Sequence, residues 1–183
     1  VMRTLWYVVD AAELHTIGLI ILAAGIITGL WGVILAALQN DAKRLLAYSS
    51  IENIGVIFIG LGIATLANAS GNTAIMTLAL CGALMHTINH SLFKSLLFFG
   101  AGNIYSQMHT THLDRFGGVA KHMPVTAILF LLATMAICAL PPLNGFVGEF
   151  LIYIGMLGSV RDGINTLYAA GGLMALALIG GIV

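Results

Sequence analysis

Leu140-Pro141-Pro142-Leu143-Asn144-Gly145-Phe146-Val147-Gly148-Glu149 interrupts a run of apolar residues that continues on both sides. Proline cannot sit inside a helix without losing a backbone hydrogen bond and clashing with the preceding turn, so Pro141 and Pro142 end whatever helix precedes them. Upstream, 125–140 is 16 residues, or about 24 Å of helix. Downstream, Phe146 to Val160 is of similar length. Neither alone crosses about 30 Å of hydrocarbon comfortably. Two half-helices around a Pro/Gly break are the pattern of a discontinuous membrane helix. The rival reading is a hairpin of two short spans. We read one broken helix over 125–160, with its break at 141–145 and Pro141, Pro142 and Gly145 as the breaking residues.

Composition sets the same frame for the rest of the chain. Of 183 residues, 60% are apolar and 8% charged, and mean hydropathy is +1.03. A soluble domain carries about 25% charged residues, which excludes a soluble enzyme. Seven basic and seven acidic residues leave no net charge, and with it no electrostatic case for a nucleic-acid partner. Cys81 and Cys138 stand singly in apolar runs, so neither a disulfide framework nor a zinc site is expected. The chain reads as an all-α polytopic membrane protein with the lipid bilayer as its surroundings. Residues 1–15 form an extramembrane lead-in. Spans follow at 16–40, 45–66, 73–102, the broken 125–160, and 163–183. Val1 follows no basic n-region and Val183 falls in an apolar run; we read the chain as an internal piece of a longer protein.

Basic residues sort the turns. Lys43 and Arg44 lie in one, Arg115 and Lys121 in the next but one, and the 68–72 turn between them has none. The positive-inside rule puts the first two on the cytoplasmic side, with Arg3 and the Arg161–Asp162 pair opposite. We expect a multi-pass protein of the cell inner, cytoplasmic membrane.

All but three of the charged residues fall in loops and turns. The exceptions are Glu52, Lys94 and Glu149. Each costs at least about 2.5–3.5 kcal/mol at mid-bilayer, which argues for partnered interior groups with a function; structural ion pairs that only lock helices are the alternative. His86, His90 and Lys94 are spaced i, i+4, i+8, each rotated about 40° from the last along about 12 Å of helix. Thr87, Ser91 and Ser95 repeat that spacing on the neighbouring face. Histidine and desolvated lysine change protonation near neutral pH, so this row is suited to a proton relay. A metal shared by His86 and His90 is disfavoured by Lys94 one turn away. His109, His112 and Asp114 read as a solvated polar loop. In the second span Tyr48 and Glu52 are four apart, with Ser49 and Asn53 beside them. Glu149 stands just past the break, where freed backbone groups gather water.

Three ordered motifs carry a family resemblance: the run from Gln39 through Lys43, Tyr48, Glu52 and Asn53 to Gly55, His86 to Lys94 as HTINHSLFK, and Leu140 to Glu149 as LPPLNGFVGE. The chain resembles the antiporter-like proton-translocating membrane subunits of respiratory complex I, Mrp-type cation/proton antiporters and energy-converting hydrogenases. Within that superfamily its motifs look most like the formate hydrogenlyase and hydrogenase-4 type subunit. The resemblance implies the second of two inverted five-helix repeats, with one discontinuous helix. It also implies proton translocation along a buried Lys/His/Glu axis, with Lys94 as central carrier, His86 and His90 as relays and Glu149 as exit-side carrier. Glu52 and Lys43 set charge near the cytoplasmic side. The implied partners are other membrane and peripheral subunits of a respiratory or hydrogenase complex, with protons, or sodium, as cargo. No cofactor, metal or redox centre is expected in the chain itself. A sodium/proton antiporter subunit and a structural membrane anchor are the other classes.

Overall fold

Polar turns punctuate the chain into helices, and the caps are local. The computed structural model describes residues 6–163 and Gly172. Helix α1 runs Ala11–Ala37, α2 Ala42–Ala69 and α3 Thr73–Met108. A 3-10 turn at Leu113–Arg115 and a four-residue helix α4, Val119–His122, lead into α5, Pro124–Ile137, and α6, Asn144–Arg161. Asp41 caps α2 by accepting from the Arg44 N–H at 3.0 Å, and Asn72 caps α3 by accepting from the Ile75 N–H at 3.1 Å. Each satisfies a donor that the first helical turn leaves open. Helix α1 begins inside the stretch expected as a lead-in, and α3 continues six residues past 102. The expected span at 163–183 lies outside the described residues, apart from Gly163 and Gly172.

α1, α2 and α3 are long and apolar enough to cross a membrane. At 14 and 18 residues, α5 and α6 are about 21 and 27 Å long. Two sets of hydrogen bonds fix how they run. The Ala42 N–H donates to the Thr111 carbonyl and the Leu113 N–H to the Asn40 carbonyl, both at 2.9 Å, with an antiparallel bridge between Asp41 and His112. The start of α2 and the loop leading to α5 are therefore at one end of the bundle. At the other end Asn72 Nδ2 donates to Asp162 Oδ2 at 3.0 Å, beside the end of α6. α5 and α6 thus carry the chain from one end to the other as a single discontinuous crossing.

α5 stops in a Schellman arrangement: the Leu140 N–H reaches the Met135 carbonyl and the Ala139 N–H the Ala136 carbonyl. Ala139 has φ +50° there, a left-handed conformation usually left to glycine. The Pro141–Pro142 bond is cis. Helix α6 then restarts against the end of α5, where a Cβ on Gly145 would lie 1.9 Å from the Ala136 carbonyl oxygen.

Helix α3 is the central element, packed against α2, α5 and α6, while α1 lies along α2. α1 meets α2 backbone to backbone through glycines seven residues apart. A Cβ on Gly25 would lie 2.7 Å from the Ile59 nitrogen, one on Gly32 2.5 Å from that of Glu52, and one on Gly55 2.4 Å from that of Gly29. Small residues allow this approach, which replaces the hydrophobic drive that lipid removes. Two apolar cores result. One gathers Leu22, Ile59, Ile63, Ala79, Ile152 and Met156; the other gathers Leu46, Phe93, Leu97, Ala133 and Ala136. Side chains such as Ile27, Trp31, Ile88, Phe99 and Leu131 stay exposed on the outside, as a lipid-facing or subunit-facing surface requires.

Candidate functional site

Between the two apolar cores lies a polar layer. α2 contributes Ser49, Glu52 and Asn53, and α3 contributes His86, Asn89 and Lys94, all buried. Since Leu46 belongs to one core and Val56 to the other, the layer occupies about two turns of α2. Buried polar groups persist only when partnered, and most of these are.

Lys94 crosses from α3 to α2. Its Nζ donates to the Leu46 carbonyl at 2.9 Å and to the Ser49 hydroxyl. Both acceptors are neutral, and no ion pair within 4 Å involves Lys94 among the described residues. Glu52, on the next turn of α2 after Ser49, is 4% exposed and leaves Oε2 without a hydrogen-bond partner among the described residues. It lies within electrostatic reach of both Lys94 and Glu149. A buried cation is thus held by dipoles, with a buried carboxylate close by but not in contact.

His86 is 1% exposed and fixed by Asn53. Asn53 Nδ2 donates to the Ser49 carbonyl at 2.8 Å, which turns Oδ1 toward His86 Nε2 at 3.0 Å. With the amide assigned by that bond, Nε2 carries the proton and donates. Among the described residues His86 Nδ1 is buried without a partner, as is His90 Nε2. Phe93 stands edge-on to both rings, 6.5 Å from His86 and 5.6 Å from His90. Two bare imidazole nitrogens in one row are the atoms a water chain would bridge.

The row expected from spacing is present, and its second half departs from expectation. Thr87, Ser91 and Ser95 are exposed and donate back to the Ala83, Ile88 and Ser91 carbonyls. Among the described residues they hold no partner across the layer. Ser91 and Ser95 instead join His90, Lys94, Phe98 and Phe99 around an open groove of about 510 Å³ on the outer face of α3. The hydroxyl that serves Lys94 comes from Ser49 of the neighbouring helix.

Glu149 is half-buried on the first turns of α6. Gly148 beside it faces His86 so closely that a Cβ would lie 2.8 Å from the His86 Cβ. The break is tied to α3 by a pair that spacing does not reveal: Asn89 Nδ2 donates to the Asn144 carbonyl at 2.7 Å, and Asn144 Nδ2 to Asn89 Oδ1 at 3.3 Å. Asn89 stands three residues after His86 on the same buried face, and that offset was its available signal. Pro141 and Pro142 are exposed at the break and Gly145 is buried in it.

Lys43 lies apart from the layer. It is exposed at the start of α2, with Nζ 4.3 Å from the centre of the Tyr105 ring. Nine residues separate it from Glu52, about 13 Å along the helix. Next to it, Asp41 accepts from the Thr111 hydroxyl and the Arg44 N–H, which hold its carboxyl below the usual carboxylate range against a smaller opposing effect of burial.

The chain is similar to known membrane proteins over most of its length. It is 40% identical over 167 residues to Hydrogenase-4 component B of Escherichia coli (strain K12), covering 90% of this chain and 25% of that protein. It is 41% identical over 161 residues to Formate hydrogenlyase subunit 3 of the same organism, covering 88% and 26%. To NAD(P)H-quinone oxidoreductase chain 4 2 of Thermosynechococcus vestitus it is 34% identical over 164 residues, covering 90% and 28%. The chain therefore spans about a quarter of the length of these relatives. Its fold is also similar to a chain in the membrane-bound sulfane sulfur reductase, an archaeal respiratory membrane complex. That likeness has a TM-score of 0.69 at 22% identity, over 91% of this chain and 31% of that one. The family described as NADH:quinone oxidoreductase/Mrp antiporter, TM, matches residues 1–176, and this multi-pass membrane chain belongs to that antiporter-like family.

Proposed function

We propose that this chain forms part of a proton path through a membrane subunit of a redox-driven respiratory or hydrogenase complex in the cytoplasmic membrane. The observation that carries the reading is Lys94 held on α2 by neutral acceptors, with Glu52 and Glu149 in electrostatic reach of one another and the His86/His90 row alongside. A desolvated charge is expensive unless compensated, so such a layer holds its charge best when gain or loss of a proton at Lys94 is matched by a nearby carboxylate. His90 opens to the groove on α3 and delivers protons from that side. His86 relays through its bare Nδ1. Lys94 is the central carrier, and Glu149 passes protons on at the break, where the backbone leaves its helix. Glu52 acts as the counter-charge of Lys94 within the layer, and Lys43 sets the potential at the membrane end. Electron transfer in partner subunits drives the cycle, and this chain supplies positioned proton carriers.

The names of the relatives support a hydrogenase or respiratory complex as the setting. The test uses the intact complex in proteoliposomes. Lys94→Ala or Glu149→Gln removes pumping while redox turnover in the soluble arm stays measurable. Unchanged protons per electron pair in either variant overturns the role given to that residue. Sodium-dependent transport without a redox partner replaces this reading with that of an Mrp-type antiporter.

A further inference from the structure

Away from the polar layer, an apolar groove of about 550 Å³ runs between α3, α4 and α5, bounded by Ile104, Phe116, Ala127, Phe130, Leu131 and Thr134. Val119 also lines a second, polar cavity of about 590 Å³, which His109, Arg115 and His122 line among others. Arg115 is exposed and makes no ion pair among the described residues. The groove therefore has a greasy body and a cationic head.

Its depth identifies the occupant. Along α5 the lining runs from Pro124 to Thr134, ten residues or about 15 Å. That is half the hydrocarbon thickness of about 30 Å, which is the reach of one leaflet. A partner's transmembrane helix would call for a groove through both leaflets, and this one stops short of the break at 139–145. Its head lies at the end that also carries Lys43, Arg44 and Lys121, expected to face the cytoplasm, where anionic lipids attract basic residues.

We propose that this groove is a binding site for one anionic glycerophospholipid of the cytoplasmic leaflet. An acyl chain lies along Ala127, Phe130 and Leu131, and the phosphate sits at Arg115 with His109 and His122 around it. Guanidinium–phosphate contact supplies the selectivity, and burial of the acyl chain supplies the rest. The site is independent of the proton path.

The test is lipid counting by native mass spectrometry on the intact complex, delipidated and then incubated with phosphatidylglycerol in mixed detergent micelles or, in parallel, with phosphatidylcholine in the same detergent. The expected result is one phosphatidylglycerol retained per copy that phosphatidylcholine does not replace. In Arg115→Gln its affinity falls about tenfold, the scale of one lost charge-assisted bond. Ala127→Phe, which fills the groove, abolishes it. Should Ala127→Phe fail to assemble, Arg115→Gln decides alone, because it changes an exposed side chain. Equal retention in wild type and Arg115→Gln overturns the site. So do equal retention of both lipids, full displacement by millimolar inorganic phosphate, and a photo-crosslinker at Ile128 that captures a subunit instead of lipid.

Discussion

Replacing Gly145 with alanine puts a methyl carbon 1.9 Å from the carbonyl oxygen of Ala136. Two such atoms need about 3 Å, so α5 and α6 must part by about 1 Å at the break. Neither atom can rotate away, because both are fixed to backbone. Retreat of α6 toward α3 is closed as well, since Gly148 already lies against His86 with no room for a Cβ. The strain belongs at the upper end of overpacking costs, about 3 kcal/mol. It also moves Glu149, which stands one turn along α6 from Gly145. Displacing a reacting group by about 1 Å costs on the order of 100-fold in rate. Gly145→Ala is therefore expected to slow proton uptake by one to two orders of magnitude, read by acridine-dye quenching in proteoliposomes. Its inactivation half-time at fixed temperature should shorten. Gly102→Ala is the control: it lies in α3 with nothing within 4 Å of the added carbon, and alanine in a helix gains up to about 1 kcal/mol over glycine. A Gly145→Ala complex that pumps and inactivates as wild type refutes the close contact and the dependence of Glu149 on it.

Three other perturbations probe separate links. Lys94→Met should destabilise, by less than the about 3–5 kcal/mol of breaking a buried pair in contact, because it strips Glu52 of a counter-charge it does not touch, and adding Glu52→Gln should restore part of that; strictly additive losses in a double-mutant cycle would show the two do not couple. Joint His86→Leu and His90→Leu should slow proton uptake while redox turnover persists, and wild-type uptake rates in vesicles would return both to a packing role. At the membrane end, the depressed Asp41 carboxyl stabilises in its ionised form, so its contribution is full above the ordinary carboxylate range and fades as pH falls through the lowered value. Asp41→Ala should cost about 1 kcal/mol of helix capping at neutral pH and render the 109–122 loop more readily cut by protease; equal cutting at neutral pH would refute the latch between Asp41 and Thr111.

What the sequence made legible follows from one exclusion and one periodicity. Proline's missing N–H and the short lengths on either side favour a broken crossing over a hairpin, and the Asn72–Asp162 bond at the far end agrees with it. Spacing of four residues dictates that His86, His90 and Lys94 share a stripe. Which neighbour that stripe meets is a different matter, because a helix in lipid is apolar on every side and has no wet face to orient it. Thr87, Ser91 and Ser95 illustrate the consequence. Their spacing is the same as that of the titratable row, yet they turn outward and bond to their own carbonyls.

Helix orientation is written instead in residues that look featureless. Glycines 18, 25 and 32 repeat every seven and bring α1 onto α2, and Gly148 brings α6 onto α3 at His86. Those contacts decide that Ser49, Glu52 and Asn53 face Lys94 and His86 across one layer. The α5 terminus shows the same limit from the other direction: Ala139 takes the left-handed turn at φ +50° where composition would look for glycine. The Schellman bonds and the Gly145–Ala136 approach hold it there. A titratable row becomes a candidate path only when close backbone packing places a second helix's acceptors beside it. In this chain that packing depends on the absence of side chains as much as on their presence.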